Sequence, residues 1–511
     1  MTDFDETPPD DFDPTIPSVE ELAAGAPRCT DAANADAIVS AHGNGYRYVC
    51  EWGTWLAWDG RRWDRTGALQ RVRHAALLTA RECYARTRGR LVELETERKR
   101  LANEMKKDDD IEDEIKRELK LLKWFEQSQN ASKLAAAVSI LETRLQVTLT
   151  QLDSDPWLLN VANGTIDLRT AELRAHDPLD LITQIADVTW SDDATCPTWD
   201  TFVHGAMGEQ LDLVLYLQRW VGYAITGVTT EHALAFFHGG GSNGKSTFIN
   251  TIRTMMGEYA CAAPRDLLFE KRSDGHPTDL ARLYGKRLAI CAEIGEHTIL
   301  DEAKVKDLTG GDAVSVRRMR EDFWDLIPTH KLAIAGNHKP TVRGDDHGIW
   351  RRIRLVPWLV QVDGARVDKH LPEKLRAELS GILRWAVNGA LEWQRLGLAE
   401  PDAVRQATKD YREENDALGE FFRIHVVFGA GERCARAELR EKYEAWCEET
   451  GQAICGAKKI AQRLREHAVD GAMVRVGDRV KNGWKGCRLR TNYEMQRDTL
   501  IDETTSVVGT A

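Results

Sequence analysis

At 511 residues, and with roughly 100–200 residues per domain, the chain has room for three or four domains and a large buried core, which excludes a small stapled scaffold. Its 42% hydrophobic and 29% charged residues fit a globular protein, and no apolar run reaches the roughly 18 residues of a membrane span, so a channel or transporter is excluded. The formal charge of −12, from 69 basic and 81 acidic residues, argues against a phosphate-rich partner only if it is evenly spread, because phosphate binding needs a local surplus of Lys and Arg.

It is not evenly spread. Residues 1–27 hold eight acids (Asp3, Asp5, Glu6, Asp10, Asp11, Asp13, Glu20 and Glu21), no Lys or Arg, and four prolines by Pro17, which reads as a disordered acidic tail. The first residues lack the basic and apolar regions of a secretory signal, so the expected location is the cytoplasm. Ten cysteines are scattered along the chain, the closest pair, Cys447 and Cys455, being eight residues apart. Without a C-x-x-C pair, neither a zinc ribbon nor a thioredoxin-like motif is expected, and the thiols read as reduced and mostly buried.

The N-terminal accessory region, 28–150, begins with alternating aromatic and polar residues over 46–65. Asp59-Gly60 favours a type I′ turn, and the pattern predicts a β-hairpin. Trp52, Trp55, Trp58 and Trp63 stand there beside Arg61, Arg62 and Arg65. Such a set either stacks on single-stranded nucleic acid or closes a small core under solvated arginines. Residues 85–147 are rich in Glu, Lys, Arg and Leu, with Ile111, Ile115, Leu119 and Leu122 on one stripe and Asp108-Asp109-Asp110 as a break, which predicts a helical hairpin. Arg98 interrupts the series Leu91, Leu94, Leu101, Met105 and argues against a sustained coiled coil. The next segment, 151–230, opens on short strands with a hairpin cue at Asn163-Gly164. Asp153-x-Asp155 resembles a metal-binding carboxylate pair, but no buried strand leads into it and Pro156 follows at once, which argues against catalysis there.

The strongest signal lies at 233–256. An apolar run, Ala233 to Phe237, enters His238-Gly239-Gly240-Gly241-Ser242-Asn243-Gly244-Lys245-Ser246-Thr247, after which Phe248, Ile249, Ile252, Met255 and Met256 recur at helical spacing. This is G-x-x-x-x-G-K-[ST] between a strand and a helix. Glycines let the backbone wrap around phosphate while amides and the helix N-terminus face the anion. Lys245 would reach the β- and γ-phosphates of ATP, and Ser246 would bind Mg²⁺.

A second buried strand, Leu288–Ala292, ends in a carboxylate. Glu293 is the first candidate to hold Mg²⁺ and polarise the attacking water, and Glu296 the second. A third strand, Lys331–Gly336, ends at Asn337, suited to hydrogen-bond the γ-phosphate or its water. Arg351, Arg352 and Arg354 follow closely, and arginine is suited to stabilise charge on a transferred phosphoryl group; a finger supplied by a neighbour implies a ring or another oligomer.

In this order, the glycine loop, Ala292-Glu293, Leu308-Thr309-Gly310-Gly311-Asp312, Ala335-Gly336-Asn337-His338-Lys339-Pro340 and Trp350-Arg351-Arg352-Ile353-Arg354 closely resemble the superfamily 3 helicases. More narrowly, the chain is similar to the phage and plasmid primase-helicases related to the poxvirus replication helicase. The resemblance extends upstream through Asp155-Pro156-Trp157-Leu158-Leu159-Asn160 to Trp55–Trp63, and downstream to Trp484. It implies a multidomain α/β protein with an AAA+ type P-loop ATPase core at 231–360, an α+β N-terminal region, and a hexameric ring that translocates on DNA. It further implies Glu293 as the Walker B carboxylate, Asn337 as sensor 1, and Arg351 or Arg352 as the finger acting across subunits. The family often carries two adjacent acids in motif B, whereas Ala292 precedes Glu293 here and Glu296 comes three residues later. The family's channel hairpin maps to Ala313–Ile327, where Arg317, Arg318 and Arg320 are candidates to grip the DNA backbone.

Beyond a helical connector, 361–428, lies the segment 429–492. Residues 433–490 contain fourteen Lys or Arg against eight Asp or Glu. Two amphipathic helices, Ala437–Glu449 and Lys458–His467, precede Met473–Val480, a turn at Lys481-Asn482-Gly483, and Trp484–Leu489. That order predicts a winged-helix domain, with Lys458, Lys459, Arg463 and Arg465 on the helix that meets DNA; residues 493–511 form a tail. Three functions fit: an ATP-driven DNA helicase, the helicase part of a primase-helicase with priming supplied by a separate primase or polymerase, and a nucleotide-gated origin-binding initiator that does not unwind.

Overall fold

The computed structural model describes residues 29–494 except 265–266, 271–277, 293–294, 296–297, 319–321, 344–346, 363, 365–366, 453, 477–478 and 492–493. The acidic tail and, apart from Glu494, the C-terminal tail therefore lie outside the described residues.

Helix α1 (Asp31–His42) starts at Thr30, whose hydroxyl accepts the Ala33 amide and satisfies one of the donors that a first helical turn leaves open. Three antiparallel strands follow, β1 (Tyr46–Val49), β2 (Thr54–Trp58) and β3 (Trp63–Asp64). The reversal at Asp59-Gly60 has a four-residue loop, not a two-residue one, because Trp58 pairs with Trp63. Asp59 Oδ1 accepts the amides of Arg61 and Arg62, so an aspartate side chain, with Gly60 at φ 99°, closes the turn.

The charged segment forms α2 (Ala68–Asn103) and α3 (Asp109–Ser128), with Asp108 capping α3 through the Asp110 and Ile111 amides. Leu91, Leu94 and Ile115 pack between them. A further helix, α4 (Ala131–Arg144), leads to β4 (Gln146–Val147), which joins the sheet parallel to β1. Trp55, Ala57, Val72, Ala76, Val138 and Leu141 make this region's core, so Trp55 is structural. Next comes an antiparallel meander of β5 (Leu158–Val161), β6 (Gly164–Asp167) and β7 (Glu172–Arg174), reversing at Ala162-Asn163 because Val161 pairs with Gly164. Asp153 accepts the amide and hydroxyl of Thr183, and Asp155 pairs with Arg169. Both carboxylates hold local structure.

Helices α5 (Pro197–Ala206) and α6 (Leu211–Ile225) precede a five-stranded sheet. Its strands are β8 (Leu234–His238), β9 (Ala260–Ala262), β10 (Leu288–Ala292), β13 (Lys331–Gly336) and β14 (Ile353–Pro357), all parallel, in the order β14-β8-β13-β10-β9. Helix α7 (Lys245–Met256) follows β8, α8 (Glu302–Gly310) follows β10, and the antiparallel pair β11 (Val314–Val316) and β12 (Trp324–Leu326) precedes β13. Strands covered on both faces read as continuous apolar runs. Accordingly Phe237 joins Trp199, Trp220 and Phe248 in one core, whereas its neighbour Phe236 joins Val305, Ile334 and Leu355 in another.

Buried cations tie α6 to the far end of this sheet. Lys331 donates to the carbonyls of Thr226, Val228 and Thr329, and Arg287 to those of Ile225 and Leu158. The carbonyls left over at a helix C-terminus attract cations. On the outer side, α9 (Leu379–Leu396) crosses α6 at Gly222 and Gly389, where an added Cβ would lie 2.1 Å from the opposing backbone.

The chain continues through α10 (Asp402–Glu414) and α11 (Ala417–His425) into a module with its own core. There, β15 (Val426–Ala435), α12 (Arg436–Thr450), α13 (Ala457–Glu466), β16 (Asp470–Val476) and β17 (Arg479–Leu489) form two helices against an antiparallel sheet ordered β15-β17-β16. The reversal falls between Val476 and Arg479, and Lys481-Asn482-Gly483 runs inside β17. Gly483 is there for room, since a Cβ would meet the Val474 side chain at 2.0 Å and the Cys434 carbonyl at 2.5 Å.

Candidate functional site

The site grows from register. His238 at the end of β8 lies opposite Gly336 at the end of β13, so the glycine loop and Asn337 leave the sheet side by side. Gly241 and Gly244 take φ of 94° and 83°, and Ser242 one of 49°, backbone that glycine adopts without a steric penalty. Gly239 has no space for a side chain, because a Cβ would sit 2.2 Å from the Trp358 carbonyl. That carbonyl also accepts from Asn243 Nδ2 at 2.9 Å, and the Val362 amide donates to Ser242 O at 2.8 Å. The chain leaving β14 thus pins the loop from Gly239 through Gly240 to Asn243.

Gly244 caps α7 without a side-chain acceptor, leaving the first-turn amides from Lys245, Ser246 and Thr247 unserved by any cap. Lys245 is only 6% exposed. Its ammonium donates to Gly239 O at 2.7 Å and to Asn243 Oδ1 and Asn337 Oδ1, both at 3.1 Å. Among the described residues no carboxylate pairs with it, and burial pushes its pKa down. A buried cation served only by neutral oxygens, at an uncapped helix N-terminus, fits a polyphosphate. The Ser246 side chain is exposed at this mouth. Beside it, His238 is held below the usual imidazole range by burial and then by Lys339.

β10 ends at Ala292, opposite Ala335 of β13 and at the same end of the sheet. Glu293 and Glu296 themselves lie outside the described residues. Arg351 is exposed, but Arg352 is 8% exposed and donates from Nε to Thr309 Oγ1 at 2.9 Å and from NH1 to Gly348 O at 2.8 Å. Arg352 thus braces α8 against the Gly348 turn within its own chain, and Arg351 is the exposed member of the pair.

The β11–β12 hairpin lies in the expected segment. Arg317 stacks over Phe323 at 4.7 Å, while Arg318 lies over Trp52 of the N-terminal region at 4.2 Å; Arg320 is outside the described residues. In the C-terminal module the four basic candidates divide. Lys458 and Arg465 on α13 are exposed. Lys459 donates to Arg343 O at 3.1 Å, and Arg463 pairs with Asp416 and Glu466. Arg463 thus joins α13 to the start of α11. Sequence reasoning missed the loop's clamp at Trp358, which acts through a backbone carbonyl and leaves no residue-type signal. No helix among the described residues is long and apolar enough to cross a membrane.

Residues 35–208 match a family model described as D5 N terminal like, and residues 237–352 match a family of unknown function. A helicase-named protein of Acanthamoeba polyphaga mimivirus is 24% identical over 302 residues, 55% of this chain and 31% of that protein. A primase-named protein of African swine fever virus is 26% identical over 252 residues, 46% of this chain and 26% of that protein. These matches liken the chain to helicase- and primase-named proteins of large DNA viruses. It spans about a third or less of the length of these curated relatives. Among solved structures, the apo C-terminal region of NrS-1 shares 11% identity at a TM-score of 0.36, covering 59% of this chain and 78% of that one. The D5-like match runs from α1 to the end of α5 and spans the short-strand meander.

Proposed function

We infer that this chain is an ATP-hydrolysing DNA helicase of superfamily 3, working as a ring, with an AAA+ type P-loop core and a C-terminal winged helix. The observation that carries the reading is the buried Lys245 ammonium, held between the glycine loop and Asn337 without a carboxylate partner among the described residues. In this reading ATP is the substrate. Amides of Gly240–Thr247 cradle its phosphates, and Lys245 exchanges its neutral oxygens for phosphate oxygens. Ser246 and Glu293 would hold Mg²⁺, which supplies charge neutralisation between the β- and γ-phosphates. Asn337 orients the attacking water, with Glu293 or Glu296 to polarise it. Arg351 completes the site of the adjoining subunit, the arrangement that makes hydrolysis depend on assembly. Arg317 and Lys458 with Arg465 contact the DNA backbone.

A strand-displacement assay on a forked duplex tests it, with Lys245→Ala and Glu293→Gln as controls. Displacement by wild type alone is expected; ATP hydrolysis on DNA with no displacement would instead favour an initiator. The primase names among the viral relatives favour one second reading, in which this chain is the helicase part of a primase-helicase and primers come from elsewhere. Primer synthesis by the purified chain would move priming into it.

A further inference from the structure

A cleft of about 740 Å³ opens between the N-terminal sheet and the motor, away from the glycine loop. Its volume falls in the range of ligand sites. Its walls come from three parts of the chain: Trp52 to Thr66 around β2 and β3, Thr183 with Gln184, and Glu258 to Arg318 of the motor. Five basic side chains, Arg62, Arg65, Arg282, Lys286 and Arg318, face two acidic ones, Asp64 and Glu258.

Internal contacts account for part of this charge. Arg62 pairs with Glu258 and Asp59, and Lys286 donates to Gln184 Oε1 and to Glu258 O. Asp64 accepts the Thr66 amide. Arg65 and Arg282 are exposed and make no ion pair among the described residues. The aromatic wall is Trp52 and Tyr284, in edge contact at 4.8 Å. Surplus guanidinium groups beside rings are what a flexible phosphate chain with unpaired bases requires.

We propose that this cleft binds single-stranded DNA, with Arg65 and Arg282 on the phosphates and the Arg318–Trp52 stack with Tyr284 forming the wall beside the bases. The proposal rests on the DNA-handling reading above and adds to it a second contact zone, contributed jointly by the N-terminal region and the motor. A strand is favoured over a mononucleotide because Arg318 belongs both to the cleft and to the β11–β12 hairpin. A chain gripped at the hairpin therefore continues into the cleft.

The test uses the full chain without nucleotide and a labelled 20-mer of thymidylate, read by fluorescence anisotropy across a salt series. Arg65→Glu combined with Arg282→Glu should weaken binding at least tenfold at low salt and flatten the log–log salt slope by about 1.4, since each single-strand phosphate contact contributes about 0.7. The melting temperature should hold, because neither side chain makes an ion pair among the described residues. Unchanged affinity, or equal weakening on a blunt duplex, overturns the proposal. As a readout independent of substitution, 4-thiothymidine oligonucleotides should photo-crosslink to wild-type peptides containing Trp52 or Tyr284. Crosslinks confined to the C-terminal module overturn it as well. Wild-type protein that binds no DNA of either kind sinks the underlying DNA reading, an outcome distinct from intact binding that ignores the cleft.

Discussion

Lys245 Nζ and Asn337 Oδ1 lie 3.1 Å apart although 92 residues separate them. Adjacent parallel strands produce the contact: β8 and β13 end level, one delivering the lysine through a glycine loop and the other the amide directly. The lysine and the amide should therefore fail differently. Lys245→Ala removes the cation and is expected to abolish ATP binding in a nucleotide-binding titration. Asn337→Ala should leave KM for ATP within a few-fold and lower kcat by about 10²-fold, the loss typical of one positioned polar group acting on the transition state. Equal loss of KM and kcat in both variants would contradict this division.

Arg351 and Arg352 are neighbours with different surroundings. Arg352→Ala should destabilise the fold by about 1–3 kcal/mol through broken buried hydrogen bonds to Thr309 and Gly348. Arg351→Ala should leave the unfolding midpoint alone and depress ATPase only in the assembled protein. Mixing Arg351→Ala with Lys245→Ala subunits should give activity that departs from simple dilution of the two parents.

His330 supplies a pH test. Burial, reinforced by Lys331, pulls its imidazole down to about 3, and neither ring nitrogen has a hydrogen-bond partner among the described residues. The unfolded chain binds a proton near pH 6.5, while the folded chain refuses it until about 3. Across that window the unfolded state holds more protons, so stability falls as pH falls, by at most about 1.4 kcal/mol per pH unit from this group. His330→Leu should flatten the acid side of the stability profile without lowering stability at neutral pH. A profile parallel to wild type would show that the imidazole is not the titrating group.

The basic face of α13 divides in the same testable way. Lys458→Ala with Arg465→Ala should weaken duplex binding and reduce its salt dependence, leaving the fold intact. Arg463→Ala should act on stability and on protease sensitivity near Asp416, because it unpairs a half-buried carboxylate that also caps α11. Limited proteolysis beside an anisotropy titration separates the two.

Local chemistry made much of this protein legible. The glycine loop, the strands Leu288–Ala292 and Lys331–Gly336, the break at Asp108 and the paired strands before Lys331 all rest on patterns within a few residues. Periodicity, turn residues and glycine spacing are written at that range. The Lys481-Asn482-Gly483 turn was misread for the opposite reason: that glycine answers to Val474 and Cys434 across the sheet, and sequence spacing carries no record of it.

The sequence by itself determined that the chain holds a G-x-x-x-x-G-K-[ST] loop, the strands that frame it, and a basic C-terminal module offset by an acidic N-terminal stretch. Tertiary structure alone decided which arginines are occupied. Arg352, Arg463 and Arg318 are the same residue type as Arg351, Arg65 and Arg282, and no local pattern tells them apart. Their roles depend on which distant carbonyl, carboxylate or ring the fold brings within a few ångströms, and only packing fixes that.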